Sequence, residues 1–381
     1  MKIPFNKPYI SGKEIEYIAE AIARRELSGD GLYTAMCHRW LEEITGSKKA
    51  LLTHSCTAAL EIAAILLNIE PGDEVIMPSF TFVSTANAFV LRGGIPVFVD
   101  IRNDTLNIDE CLIEAAITKK TKAIIPVHYA GVACEMDVIM EIAKRHNIAV
   151  IEDAAQGVLS TYKGRALGSI GDMGVYSFQE TKNLTCGEGG ALLINDKKFI
   201  QRAEIIREKG TDRKRFFRGE LDKYTWQDIG SSYLLGEIGA AFLWAQFENA
   251  ESVIKQRREI WQSYYMLLTP LLKAGKLNLP FEPKECKHNG HLFYILLSNK
   301  NQRDQLIDSL KKDNINTVFH YVPLHNSPKG LLNSKASGTL ERTQALSERL
   351  IRLPIWVGLD SATIKKIVNS IKKNLNQKAM Y

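Results

Sequence analysis

Three short stretches of this chain carry side chains and spacings suited to covalent chemistry. Ser55, Cys56 and Thr57 stand directly ahead of the apolar helical run that begins Ala58, Ala59, Leu60. Small hydroxyl residues there can simply cap the helix, and the same backbone N–H groups also make a phosphate site. Asp153 follows the apolar run Ala149 to Ile151 and precedes Ala154, Ala155 and Gln156. It suits a helix cap or, equally, the partner of a cation or a protonated ring nitrogen. Lys182 follows Ser177 and Phe178 and precedes the turn Gly187, Glu188, Gly189, Gly190. Most lysines are solvated, but a lysine beside a glycine-rich turn at a sheet's ligand edge is placed for a Schiff base, and partial desolvation would lower its pKa. Together the three describe a phosphate cradle, an acid for a pyridinium nitrogen and an amine for an aldehyde, which is what pyridoxal phosphate requires.

Such groups need elements to hold them. Ile15, Ile18, Ala19 and Ile22 recur at helical spacing, as do Leu60, Ile62, Ala63 and Leu66. Between helical segments such as Met136 to Lys144 lie short β-branched runs at Val75 to Met77, Val97 to Val99, Ala123 to Val127, Ala149 to Ile151 and Val175 to Phe178. Several are apolar throughout, as strands covered on both faces are. The alternation predicts an α/β fold with a mostly parallel sheet wrapped by helices, whose ligands bind beyond the carboxyl ends of the strands. An amphipathic stretch from Leu235 to about Leu271 is expected to leave this domain. Beyond Pro280 and Pro283, strand, helix and strand are expected at Leu292 to Leu297, Arg303 to Lys311 and Thr317 to Tyr321. The expected division is a large domain over 1–250 and a smaller C-terminal α/β domain over 251–381.

Composition narrows the function classes. Of 381 residues, 45% are hydrophobic and 24% charged, the average for a folded globular chain rather than a disordered or fibrous one. No stretch reaches about 18 consecutive apolar residues, and Met1 to Pro8 lacks a signal-peptide core, so a cytoplasmic protein without a membrane span is expected. Cys37, Cys56, Cys111, Cys134, Cys186 and Cys286 form no CxxC pair, which predicts reduced thiols and no metal site. The net charge of +6 is small for this length. The basic run Arg213, Lys214, Arg215 and Arg218, with Phe216 and Phe217 inside it, suits a phosphorylated small ligand rather than nucleic acid.

The chain resembles the DegT/DnrJ/EryC1/StrS-type sugar aminotransferases, which act on nucleotide-linked keto sugars and share the aspartate aminotransferase fold. The resemblance runs through Ser55 to Leu60, Gly72 to Phe82, Ile151 to Gln156, Tyr162 to Gly164, Ser177 to Lys182 with Gly187 to Gly190, and His320 to His325, in that order. It implies a fold type I, pyridoxal-phosphate-dependent homodimer in which Lys182 carries the cofactor and moves protons. It further implies that Asp153 pairs with the ring nitrogen, Gln156 reaches the ring hydroxyl, and Phe82 stacks on the ring face. Thr57 and Ala58 backbone with the Ser177 hydroxyl would bind the phosphate.

Two positions depart from the pattern. Cys56 replaces the usual Gly, and the segment Gly230, Ser231, Ser232, Tyr233, Leu234 replaces GxNxR, so Ser232 stands where an Asn contacts the phosphate from the partner subunit. This variant, with EKGTDR at Glu208 to Arg213 and KYTWQDIG at Lys223 to Gly230, is similar to the branch making dTDP-4-amino-4,6-dideoxygalactose for enterobacterial common antigen. That branch implies L-glutamate as amino donor and dTDP-4-dehydro-6-deoxy-D-glucose as acceptor, with Arg213, Tyr321 and His325 toward the substrate. Sister enzymes making the gluco epimer or acting at C3 are alternatives. A sugar dehydratase on this scaffold has histidine in place of the lysine, so Lys182 argues against it, and the intact Asp153, Gln156 and Lys182 set disfavours a non-catalytic sugar-nucleotide sensor.

Overall fold

A computed structural model describes residues 2–376; residue 1 and residues 377–381, at the ends of the two expected domains, lie outside the described residues. In chain order the strands are β1 (Lys49–Thr53), β2 (Glu74–Pro78), β3 (Ile95–Val99), β4 (Thr121–Ile124), β5 (Ala149–Asp153), β6 (Thr161–Tyr162), β7 (Arg165–Ala166), β8 (Met173–Ser177), β9 (Gly190–Ile194), β10 (Cys286–Lys287), β11 (Phe293–Leu296), β12 (Lys335–Ala336) and β13 (Leu350–Leu353).

The central sheet has eight strands in the order β1-β9-β8-β5-β4-β2-β3-β12. Neighbours are parallel except around β9, which runs antiparallel to both β1 and β8. The fold is therefore α/β with a large, mostly parallel sheet. Val150 and Ile124 fall in the core on one face, Ile151, Val75 and Met77 in the core on the other. Burial on both faces explains why these strands read as continuous apolar runs. β4 ends at Ile124, short of the expected Val127, because Pro126 has no N–H for the ladder.

The 235–271 stretch is two helices, Glu237–Phe247 and Ala250–Lys273, broken around Asn249. The first is buried on several sides, and its Glu237 accepts hydrogen bonds from the N–H groups of Gly31, Tyr33 and Thr34, capping the helix Leu32–Thr45. The second packs with β11, β13 and the helix Ser361–Asn376 around Trp261, Phe293, Ile351, Leu353 and Ile367. β12 returns to the central sheet and lies parallel to β3.

Two expected patterns resolve differently. Thr317–Tyr321 is not a strand: Val318 alone bridges Arg352, because the chain then turns His320 and Tyr321 into an aromatic cluster and Pro323 follows. The helix Glu14–Ala23 forms as its spacing predicts, but Ile15 is 77% exposed and Ile22 53% exposed, so part of its apolar stripe faces outward.

Candidate active site

A cleft of about 450 Å³ opens at the carboxyl end of the sheet, lined on the sheet side by Thr57, Phe82, Asp153, Gln156, Ser177 and Lys182. The helix Cys56–Leu66 points its N-terminus into this cleft. Ser55 caps it, accepting the N–H of Ala58 at 3.1 Å, while the N–H groups of Cys56 and Thr57 have no partner among the described residues. The Thr57 hydroxyl donates to Ser84 Oγ at 2.7 Å. The cap thus takes Ala58 and leaves the Cys56 and Thr57 N–H groups available to an anion.

The glycine turn sets this position. Gly187 is left-handed at φ +83°, closing the hairpin between β8 and β9, and a Cβ on Gly190 would lie 2.3 Å from Cys56 N. Only glycine lets β9 approach the helix end so closely.

Asp153 is the last residue of β5 and buried. Its Oδ2 accepts from Thr85 Oγ1 at 2.7 Å and its Oδ1 from Ala155 N at 3.2 Å, and Thr81 backs Thr85 at 2.8 Å. Two donors fix the carboxylate's plane with acceptor capacity remaining. Gln156 Oε1 accepts from Ala130 N at 2.7 Å, and its Nε2 donates to Tyr321 OH at 3.1 Å. Phe82 is 59% exposed at the cleft mouth, offering a wide apolar ring face.

Lys182 is half-buried, and its amine makes no hydrogen bond or ion pair among the described residues. Burial pulls its pKa below the usual lysine value; nearby Cys56 and Asp153 oppose this, and Arg352 adds to it. The neighbouring Asn183 is pinned by a loop from the C-terminal region, donating to Asn289 O at 3.1 Å and pairing with His291 Nδ1 at 3.0 Å. Asn289 in turn donates to Gln156 O and Val158 O, both at 2.8 Å. One network therefore ties the lysine's backbone to the residue that flanks Asp153.

The cleft also contains groups that sequence reasoning did not select: Phe5, Asn6, Thr85, Arg257, His291, His320 and Arg352. Arg257 is buried, donates to the carbonyls of Gly290 and His291, and is pulled by burial down to about 10. His320 stacks on Tyr321 at 3.5 Å, and burial, with Arg352 adding to it, pushes its pKa below the usual imidazole value.

Four expected residues lie outside this cleft. Ser232 is exposed on the bridge to Glu208. Arg213 pairs with Glu208 at 3.0 Å and lies over Phe217. His325 binds Ser79 Oγ through Nδ1 at 2.7 Å, clamping its turn to the end of β2. That contact, with the His325 N–H also on Ser79 Oγ at 3.0 Å, holds the turn in place of the expected position toward the substrate. Ala58, buried behind its cap, does not line the cleft either.

The residues present fit pyridoxal phosphate: unbonded N–H groups at a helix N-terminus, a fixed buried carboxylate at a strand end, and an unpaired desolvated lysine share one cleft.

Comparison with known proteins agrees. The family model described as the DegT/DnrJ/EryC1/StrS aminotransferase family matches residues 8–372. The spore coat polysaccharide biosynthesis protein SpsC of Bacillus subtilis is 32% identical over 97% of this chain and 96% of its own. The PLP form of Spr1654 from Streptococcus pneumoniae superposes with TM-score 0.90 at 27% identity, covering 98% of this chain and 99% of that one. Helicobacter pylori PseC, an aminotransferase involved in the biosynthesis of pseudoaminic acid, superposes with TM-score 0.87 at 27% identity, covering 98% and 99%. With its cleft, its fold and these matches in agreement, the chain belongs to the DegT/DnrJ/EryC1/StrS aminotransferase family and is a pyridoxal-phosphate-dependent sugar aminotransferase.

Proposed function

We propose that the protein moves the amino group of L-glutamate to C4 of dTDP-4-dehydro-6-deoxy-D-glucose, giving dTDP-4-amino-4,6-dideoxy-D-galactose for a surface polysaccharide. The observation that carries the reaction is the unpaired Lys182 amine sharing a cleft with Asp153. The choice of sugar rests on the segments EKGTDR, KYTWQDIG and GSSYL.

Bound in the cleft, pyridoxal phosphate supplies the electron sink and carries the amine between substrates. Cys56 and Thr57 N–H groups with the Ser177 hydroxyl would hold its phosphate, Asp153 would keep its ring nitrogen protonated, and Phe82 and Gln156 would bear on the ring. Lys182 Nζ takes the proton from the α-carbon of glutamate and, in the second half, delivers one to C4 of the hexose from a single face.

The active unit is a homodimer in this reading. Ser232 and Arg213 lie outside their own cleft, and Ile15, Phe82, Val322, Leu331 and Leu332 leave apolar surface exposed. Ser232 would serve the partner's phosphate, and the basic segment around Arg213 the nucleotide diphosphate.

The test is incubation with L-glutamate and the keto sugar nucleotide, followed by NMR of the product. An axial C4 amine is expected, with no turnover by the Lys182→Ala variant. An equatorial C4 amine or a C3 amine would assign the chain to a sister enzyme. Activity of Lys182→Ala near the parent rate would overturn the mechanism.

A further inference from the structure

His291 stands just ahead of β11 on a loop that holds it in one orientation. Its N–H donates to Asn289 Oδ1 at 3.0 Å, and its carbonyl accepts from the buried Arg257 at 2.6 Å. The residue is only 8% exposed, yet it lines the cleft.

The hydrogen bonds around the ring assign its proton. Asn183 Nδ2 donates to the carbonyl of Asn289 at 3.1 Å, so the atom that meets His291 Nδ1 at 3.0 Å is the amide oxygen, which can only accept. Nδ1 must therefore be the donor. Burial, with the charges of Lys182, Arg257 and Arg352 adding to it, pushes the imidazole pKa well below its usual value, which disfavours a second proton. Nε2 is left with a lone pair. It has no hydrogen-bond partner among the described residues and opens on the cleft. His320, the other histidine lining the cleft, differs: its Nδ1 meets the Tyr129 hydroxyl at 3.2 Å, a group that donates or accepts and so fixes no tautomer.

A lone pair shut away from water is costly until a donor meets it. The fold supplies none, so the donor comes with a ligand. Pyridoxal phosphate brings acceptors in its phosphate and ring oxygens, and its ring N–H belongs to Asp153 in the reading above. Glutamate brings two more acceptors in its carboxylates, and its amino group is spent on the cofactor. Sugar hydroxyls remain. His291 is bonded to Asn183, the residue after Lys182, and the Lys182 charge reaches its ring, so a hydroxyl at Nε2 lies beside the carbon that the lysine protonates. In a 4-keto-6-deoxyhexose the reacting C4 is flanked by C5, which carries the methyl group, and by C3, which carries a hydroxyl.

We infer that His291 Nε2 accepts the C3 hydroxyl of the keto sugar and thereby selects a hexose oxygenated next to its reacting carbonyl. The inference rests on the proposed 4-keto substrate and adds the residue that separates it from its deoxy relatives.

Three readouts test it. In ¹⁵N spectra of cofactor-free protein labelled in histidine, His291 should show Nδ1 protonated and Nε2 bare. In single-turnover reaction of the protein loaded with pyridoxamine phosphate, the parent should use dTDP-4-dehydro-6-deoxy-D-glucose with a kcat/KM about 10-fold above that for its 3-deoxy analogue, the worth of one hydrogen bond. His291→Asn keeps a side-chain N–H for Asn183 and removes the acceptor, so that preference should shrink to about twofold or less, and the sugar half-reaction should lose more than loading from L-glutamate. A parent that uses both sugars alike, a preference that survives in His291→Asn, or equal losses in the two half-reactions would overturn the inference. A protonated Nε2 overturns it with no substrate present, whether or not the variant folds. A parent that leaves the 4-keto sugar unaminated overturns the proposed function and the named hydroxyl with it, which sets that failure apart from a wrong tautomer.

Discussion

Gly190→Ala probes how the phosphate cradle is placed. Gly190 is locked from two sides, paired with Thr53 on β1 and with Ser177 on β8, so the new methyl cannot swing away with its strand. It would stand 2.3 Å from Cys56 N and 2.4 Å from Ser55 C, and ordinary contact begins at 3.4 Å. The helix end must retreat by about 1 Å, which stretches a hydrogen bond of about 2.9 Å to a length at which it is lost. Two charge-assisted bonds at roughly 1.5–3 kcal/mol each amount to about 3–6 kcal/mol, or a 10²- to 10⁴-fold rise in the Kd for pyridoxal phosphate. The assay is absorbance titration of cofactor-free protein. Gly187→Ala is the control: its Cβ meets open space, and its φ of +83° costs about 1–2 kcal/mol of stability without touching Ser55 or Cys56. A Gly190→Ala protein that binds cofactor within about threefold of the Gly187→Ala control would refute the reasoning.

Lys182 should acylate at lower pH than exposed lysines in cofactor-free protein. Its folded pKa lies below 10.5, so the free amine is already populated in the window just under that value; peptide mass spectrometry after labelling across pH reads the midpoint, and one shared with surface lysines would contradict the desolvation. Arg213→Glu should raise the KM for the sugar nucleotide and leave the glutamate half-reaction unchanged, and an unaltered KM would return Arg213 to its local pair with Glu208. Tyr321→Phe removes the oxygen that Gln156 Nε2 binds at 3.1 Å, so both half-reactions should slow alike, by about fivefold for one hydrogen bond. Slowing confined to the keto sugar would instead place Tyr321 against the hexose.

Lys182, Asp153 and the Ser55–Thr57 helix start could be read from sequence because each sits where an apolar run meets polar residues, and that junction is the ligand edge of a parallel sheet. Arg352 could not: one arginine in the apolar stretch Leu350–Leu353 looks like an ordinary outward residue, and only the register with Tyr294 turns it toward the cleft. Thr85 sits in the helix Val83–Val90, where nothing local signals a bond to a residue 68 positions away. Arg257, Asn289 and His291 act through carbonyls and side chains of distant loops, contacts without a periodic trace. The antiparallel course of β9 was equally hidden, because an apolar strand buried on both faces reads the same in either direction. The outward stripe of Ile15 and Ile22 shows the limit of periodicity, which gives a helix and an apolar side but not what covers it.

The strand β12 has a consequence for how the chain reaches its native state. Lys335 and Ala336 pair with Val97 and Phe98, and Lys335 Nζ meets Glu74 Oε1 at 2.6 Å. The outer border of the sheet is thus shielded by residues made more than two hundred positions later. During vector synthesis from the ribosome, Val97 to Val99 presents a bare β border for most of translation, a template for intermolecular strand addition. A fragment ending near residue 250 would keep that border permanently, so it should aggregate although it contains Lys182, Asp153 and the phosphate cradle, and premature termination would yield a chaperone client rather than a dormant domain.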